Sequence, residues 1–263
     1  MNGAVNGAGQ RPGRLVAALA DAAAAAAFWP RAAIATLRGP PPVDTVLLTL
    51  RLVVTSVPVV FAVTFFSGAM LTVQAAASLA PFGGGALAGI AVGFGGIREV
   101  FPLLAAASVA ARSGAEIASQ LATMRVTKQL EALEVMGLDP LRLLVGPRIV
   151  AAVVGTPLCV LVGCGAGMLG AQAIGAWQLG LDRGAMWTNL WSGIVAADLT
   201  VGAVKGLALG FLLGAVSARE GLVAEPGARG VGKATNRAVI RALVVVSGAS
   251  LALSSAIYGR LAG

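Results

Sequence analysis

The sequence predicts an all-α integral membrane protein with about five transmembrane helices. Of its 263 residues 57% are hydrophobic and only 11% are charged, whereas a soluble domain carries about 25% charged residues. Long stretches contain no charge at all, such as the one between Arg51 and Arg98. The 36 glycines favour close helix packing in lipid. Charge is too sparse to cover a water-facing surface, which argues against a soluble fold.

The composition also excludes several kinds of chemistry. The chain has no histidine, so it cannot form a Ser-His-Asp triad, a histidine base or a histidine metal site. Two cysteines cannot build a zinc cluster. Cys159 and Cys164 lie about 140° apart around one helix, so we expect no disulfide between them. We therefore predict no catalytic residue, no metal site and no cofactor.

Five segments are long enough to cross a bilayer, which takes roughly 20 mostly apolar residues. A turn with Pro81 and three glycines separates the first two spans. The predicted spans are about Val53–Ala77, Ala86–Ala111, Ile149–Ile174, Ile194–Val216 and Ala238–Tyr258.

The basic residues give the predicted topology. Fifteen of the nineteen lie before span one, between spans two and three, or between spans four and five. The positive-inside rule then places the N-terminus in the cytoplasm and the C-terminus outside, in a multi-pass protein of the cytoplasmic (inner) membrane. The net charge of +8 is thus a topology signal, and nucleic acid is not a predicted partner.

The N-terminal segment Leu15–Trp29 is mainly poly-alanine between Arg14 and Arg31, and ends in Phe28-Trp29-Pro30. Aromatic residues beside cationic flanks suit a helix lying at the bilayer interface. The alternative is a linker helix without membrane contact.

The loop from Arg112 to Gly137 is polar but carries apolar residues at helical spacing: Ile117, Leu121, Met124, Leu130, Leu133 and Met136. Gly137 is placed to end a helix, Asp139 to cap the next one, and Pro140 to occupy its first position. The pattern predicts a short amphipathic helix outside the membrane. Its apolar face must be covered by the bundle or by a partner, and physics alone leaves both open.

Two pairs of charged residues fall well inside predicted spans: Arg98 and Glu99 in span two, Asp198 and Lys205 in span four. Such charges cost about 2.5 to 3.5 kcal/mol each on insertion scales and usually mark function. Arg98 and Glu99 point about 100° apart and need not pair with each other. They either bond neighbouring helices or line a cavity. Asp198 and Lys205 share a helix face, and we expect a structural role for them.

The segment Gly227–Ala234 fits a phosphate-binding loop except at its last position, where Ala234 replaces the Ser or Thr that holds magnesium. No strand is predicted before it. We expect it to orient the entry of span five and not to bind ATP.

Two motifs resemble a known family. Thr127–Pro140, with the sequence TKQLEALEVMGLDP, and Val145–Arg148 closely resemble the MlaE/YrbE permeases, the membrane subunits of ABC-type lipid transporters that work with MCE proteins. The resemblance covers nearly the whole chain after about residue 45. Lys128 is a departure, since the family usually has Glu there.

The resemblance implies a non-catalytic permease subunit. Residues 1–44 would be a cytoplasmic N-terminus with the interfacial helix, and 45–263 the permease domain. The implied partners are a cytoplasmic ABC ATPase, an MCE-domain protein, a second permease copy or a paralogue, and a lipid substrate.

The resemblance also implies site residues. Gln74, Arg98 and Glu99 would bind lipid. The amphipathic segment would be the coupling helix that contacts the ATPase through Thr127, Gln129, Leu130, Leu133, Glu134 and Met136. The alternatives are a membrane scaffold that recruits a partner and a permease for a small solute.

Overall fold

The structure is a computed structural model that describes residues 27–34, 36, 42–82, 87–192 and 196–258. Every regular element within these ranges is helical. Residues 27–34 form a helical segment, and seven further helices follow: α1 (Pro42–Leu79), α2 (Ala88–Val126), α3 (Gln129–Val135), α4 (Leu141–Trp177), α5 (Arg183–Ser192), α6 (Ala196–Leu222) and α7 (Ala228–Tyr258).

Five of these helices, α1, α2, α4, α6 and α7, are long and apolar enough to cross a membrane. The prediction of an all-α membrane protein with five spans is confirmed. The protein backbone must satisfy its hydrogen bonds internally in lipid, and a helix does so within a single segment.

The helices extend further than the predicted spans. The second helix continues past Ala111 to Val126, so residues 112–126 are not the separate loop helix that we expected. The fifth begins at Ala228, ten residues before the predicted Ala238. Hydropathy marks only the apolar part of a helix, whereas backbone hydrogen bonds continue the helix into the more polar residues next to it.

The predicted interfacial helix, Leu15–Trp29, lies outside the described residues except for residues 27–29. Its described end packs on the bundle. The ring of Trp29 lies 6.0 Å from that of Phe211 in α6, and Ala32 is buried.

Helices α1 and α4 pack by direct approach of their backbones at glycines. A Cβ atom at Gly68 would overlap the carbonyl oxygen of Gly167, and one at Gly170 would overlap that of Phe65. The fully buried ring of Phe101 fills the space beside Gly167, where a Cβ atom would lie 2.6 Å from it. Small residues bring helices close enough for dispersion contacts, which hold helices together in lipid.

Helix α2 is locally irregular. Two π-helical turns interrupt it, at Gly96–Val100 and at Ala110–Gly114. Such wide turns change the direction of the residues that follow and are frequent at functional sites. The first of them carries Arg98 and Glu99.

The close approach of α1 and α4 yields a stability prediction. We expect Gly170→Ala to lower the free energy of unfolding by about 1–3 kcal/mol, because the added methyl group forces the two backbones apart. Thermal unfolding of the purified protein in detergent measures the change.

Gly165→Ala on the same helix is the matched control, since nothing lies within 4 Å of a Cβ atom there. It should leave stability unchanged or raise it by up to about 1 kcal/mol through helix propensity. Equal effects of the two substitutions would contradict backbone contact at Gly170.

Candidate functional site

The four charges inside the spans form two ion pairs between α2 and α6. Arg98 Nε lies 2.8 Å from Asp198 Oδ1, and Arg98 Nη2 donates to Asp198 Oδ2 at 3.0 Å. Lys205 Nζ lies 3.1 Å from Glu99 Oε1. Arg98 and Glu99 therefore pair with another helix and not with each other, as their angular separation on a helix allows. We call these four residues the charge network.

Lys205 is almost fully buried and all its donors are used. Its ammonium donates to Glu99, to the carbonyl oxygen of Arg98 at 2.9 Å and to Ser254 Oγ of α7 at 2.8 Å. An ammonium has three protons, so this set satisfies it completely. The hydroxyl of Ser254 also contacts Glu99 Oε2, which joins α7 to the network.

Aromatic rings enclose the cations. The guanidinium carbon of Arg98 lies 3.8 Å from the ring centre of Phe94 and 5.3 Å from that of Tyr258. Lys205 Nζ lies 4.9 Å from the Tyr258 ring. A ring face attracts a cation, and more strongly where water is excluded. Arg98 and Lys205 therefore have aromatic rings as well as carboxylates around them.

The network lies near one end of the bundle. Asp198 is in the first turn of α6 and Tyr258 is the last residue of α7. We call this the Asp198 end, and the opposite end, where α3 lies, the α3 end.

Access to the network is uneven. The side chain of Glu99 is 44% exposed, against 19% for Arg98, 7% for Asp198 and 1% for Lys205. Glu99 is thus the group that an external molecule reaches first. Gln74 lies exposed on α1, and no hydrogen bond or ion pair joins it to the network among the described residues.

The α3 end carries the short helix that the sequence predicted, with a later start. Thr127 and Lys128 form a turn after α2, with Lys128 in the left-handed region at φ 59°. Gly137 follows α3 at φ +75°, where glycine is favoured. Asp139 Oδ1 accepts the N–H of Leu141 at 2.9 Å. The predicted stop at Gly137 and the cap at Asp139 are confirmed.

The proposed ATPase-contact residues divide by burial. Thr127, Gln129, Glu134 and Met136 are exposed, Leu133 is half-buried, and Leu130 is buried at 9% exposure. Leu130 faces a cavity of about 400 Å³ that lies between α3 and Leu222 at the end of α6. Sequence reasoning missed Val135, an apolar side chain that is 89% exposed. Its position outside the apolar stripe was the available signal.

Arg125 connects the neighbourhood of α3 to α6, because its guanidinium donates to the carbonyl oxygen of Leu222. A cation at a helix C-terminus satisfies a free carbonyl and suits the helix dipole. The end of α2 next to α3 is therefore fastened to the end of α6.

Sequence reasoning also missed a charge cluster near the α3 end. The carboxylate of Glu220 is 1% exposed and has three arginines around it. Its Oε1 lies 3.0 Å from Arg219 Nη1 and also contacts Arg241, and its Oε2 lies 3.6 Å from Arg237 Nε. The available signal was an acidic residue directly after Arg219, within a segment that is mainly basic. The cluster joins α6 to α7.

The glycine-rich segment at Gly227–Ala234 forms the turn before α7 and its first turns. Gly227 has φ +89°, and helix α6 with a short turn precedes it. A helix stands where a phosphate-binding loop needs a strand.

Comparison with known proteins identifies the family. A family model described as Permease MlaE matches residues 47–256 of the chain. The chain belongs to the MlaE permease family. A probable ABC transporter permease protein of Rickettsia felis is 37% identical over 191 residues, which is 73% of this chain and 74% of that protein.

Two further relatives of this MlaE-family chain carry more specific names. The intermembrane phospholipid transport system permease protein MlaE of Haemophilus influenzae is 28% identical over 195 residues, covering 74% of this chain and 75% of that protein. The chloroplast protein trigalactosyldiacylglycerol 1 of Arabidopsis thaliana is 29% identical over 158 residues, covering 60% and 45%.

The charge network of this MlaE-family permease yields a double-mutant prediction. Lys205→Met removes the cation from the buried side of Glu99 and leaves this half-buried carboxylate without its partner. We expect Lys205→Met with Glu99→Gln to be more stable than Lys205→Met alone, with a coupling energy of about 0.5–3 kcal/mol. Thermal unfolding of the four proteins of the cycle gives this energy.

Lys233 and Glu225 provide the control pair. Lys233 Nζ also lies 3.1 Å from Glu225 Oε2, but the two side chains are 62% and 55% exposed. The same two substitutions there should give a coupling energy of about 0–1 kcal/mol. A coupling energy at Lys205 and Glu99 no larger than at this exposed pair would refute the account.

Proposed function

We propose that the chain is the permease subunit of an ABC-type transporter that moves phospholipid or a similar lipid. Its partners are a separate cytoplasmic ATPase, an MCE protein and a second permease copy or paralogue. The observation that carries the proposal is the family match over residues 47–256. The relative from Haemophilus influenzae is named for intermembrane phospholipid transport, which supports the lipid substrate.

The proposed orientation places the α3 end in the cytoplasm and the Asp198 end outside. The Glu220 cluster, Arg125, Arg112 and Lys233 all lie toward the α3 end, and positive residues prefer the cytoplasmic side. In this orientation the charge network lies in the outer part of the membrane, next to an MCE protein outside.

The proposed lipid site is the exposed side of the charge network, with Arg98 and Glu99 as contacts and Gln74 as a further contact on α1. A lipid needs apolar surface for its chains and polar groups for its head. Phe94, 53% exposed, packs on Arg98, and Leu251, 72% exposed, lies one turn before Ser254 on α7. Glu99, 44% exposed, is the polar group that a head group meets first.

The proposed ATPase site is α3. Its exposed residues Gln129, Glu134, Val135 and Met136 project from the bundle, and a helix with an unsatisfied apolar surface favours a partner. Leu130 is buried on its inner side, and Arg125, at the end of α2 next to α3, bonds to the end of α6. A force on α3 would therefore pass into α2 and through Arg125 to α6.

The alternatives predict different properties. A permease for a small solute predicts more polar residues along the spans than this chain carries. A membrane scaffold would use α3 to bind its partner without transport. The relatives named as transport permeases favour the transporter.

Transport is tested with the complex itself. The chain is purified with its candidate ATPase, and bound lipid is identified by mass spectrometry. We expect co-purified phospholipid and ATP hydrolysis that responds to added lipid. A complex free of lipid whose hydrolysis ignores lipid would count against lipid transport, and a complex that binds ATPase without transport would favour the scaffold.

The coupling role of α3 yields a mutational prediction. Val135→Asp and Leu133→Asp should abolish ATPase-coupled lipid transport, because each introduces a charge into the apolar part of the proposed contact. Both proteins should still insert in the membrane. Val135→Asp is the more specific of the two tests, since a side chain that is 89% exposed contributes little to folding stability.

Val223→Asp is the control, because Val223 is also an exposed apolar residue at the α3 end, at 48%. It should leave ATPase binding intact. Normal ATPase co-purification with both α3 variants would disprove the docking role.

A further inference from the structure

Helix α5 carries an exposed tryptophan surface that the proposed function does not use. At ten residues it is about 15 Å long, too short to cross a bilayer. Met186 and Leu190 are buried on its inner side, whereas Trp187 and Trp191 are 42% and 46% exposed. Their rings meet edge to face with centres 5.8 Å apart. Trp177, the last residue of α4, is 81% exposed. We call these three rings the tryptophan surface.

The helix that carries this surface is fixed to the bundle. A Cβ atom at Gly89, near the start of α2, would lie 2.9 Å from Asn189 Cβ, so the two helices are in direct contact. Asp182 Oδ2 accepts the N–H of Ala185 at 2.7 Å and caps α5. Gln172 Nε2 donates to the carbonyl oxygen of Arg183 at 3.0 Å. The orientation of the rings is thus a property of the fold.

Lipid-facing surface borders the tryptophan surface on two sides. On α4 an exposed apolar stripe, with Leu158, Leu161 and Leu169 at 46%, 42% and 51%, runs toward Trp177. Leu87, just before α2, and Phe94 on α2 are 50% and 53% exposed, and α2 contacts α5 at Gly89. Helix α4 ends and helix α2 begins beside the tryptophan surface. The edge of the hydrocarbon layer is therefore expected at this height along the bundle.

The chemistry of the surface fits that edge. Tryptophan has a large apolar ring and one N–H donor, and it is enriched where hydrocarbon meets the head groups. Only Asp182 and Arg183 are charged between residues 178 and 192. A surface for an aqueous protein partner would usually have a polar rim, and this one continues instead into lipid-facing side chains.

We propose that α5 and Trp177 anchor the protein in the head-group layer of the leaflet at the Asp198 end. The occupant of the tryptophan surface is the lipid surface itself. Because α5 contacts Gly89, the anchor also holds the start of α2, the helix that carries Arg98 and Glu99. This inference needs neither an ATPase nor an MCE protein, so it stands or falls separately from the proposed function.

Fluorescence quenching in vesicles tests the anchor. The chain has four tryptophans, and each variant keeps one and replaces the others by Phe. The full chain is placed in phosphatidylcholine vesicles with bromine near the carbonyl end or near the methyl end of the acyl chains. We expect Trp177, Trp187 and Trp191 to lose more fluorescence to the shallow bromine than to the deep one, and little to aqueous iodide.

The Trp29 variant is the comparator, since its ring packs against Phe211. Stronger quenching of Trp187 and Trp191 by the deep bromine would overturn the interfacial position. Strong iodide quenching without bromine quenching would also overturn it, and would point to a water-exposed surface or a protein partner.

A second measurement keeps three of the four tryptophans in place. Trp187→Cys is labelled with a polarity-sensitive fluorophore in the otherwise unchanged chain, whose Cys159 and Cys164 are buried. Val135→Cys on α3 is the water-exposed control. The label at position 187 should emit at a shorter wavelength than the label at position 135, and equal wavelengths would contradict the anchor.

Discussion

The fold depends on one constraint: a charge on an apolar spanning helix must have a partner. Arg98 and Glu99 on α2 meet Asp198 and Lys205 on α6, and Ser254 brings in α7. An unpaired charge there would cost several kcal/mol. The two ion pairs therefore fix the axial position and the rotation of α2 relative to α6. Because the hydrocarbon supplies no hydrophobic force between helices, such polar contacts have unusual weight in choosing the arrangement.

Contacts between backbones complete the bundle. Where α1 meets α4, glycines let one helix touch the carbonyl oxygens of the other, and the ring of Phe101 fills the space beside them. The π-helical turn at Gly96–Val100 interrupts the regular spacing of α2 at the residues that pair with α6. Small residues thus allow α1 and α4 to approach closely. The π-helical turn changes the direction of α2 at the residues that carry the charges.

One continuous helix, α2, runs from the charge network to the turn before α3. From Arg98 to the end of α2 at Val126 is 28 residues, or about 42 Å at the helical rise. At its far end Arg125 binds the last turn of α6, which is the same helix that carries Asp198 and Lys205. A displacement of α3 would therefore reach the charge network through both partners of the ion pairs. The Glu220 cluster joins α7 to this frame.

The sequence by itself determined the fold class, the five spans, the end of α3 at Gly137 and the cap at Asp139, because hydropathy and local backbone rules act over short stretches. It also singled out the four charges within the spans. Only the tertiary structure decided that Arg98 pairs with Asp198 and Glu99 with Lys205, that α2 continues to Val126, and that Leu130 turns inward while Val135 is exposed. The contacts of three arginines with Glu220 could not be predicted from the sequence either. The continuation of α2 depends on backbone hydrogen bonds that hydropathy does not report. The other features depend on contacts between residues far apart in the chain, about which hydropathy and spacing along a single helix carry no information.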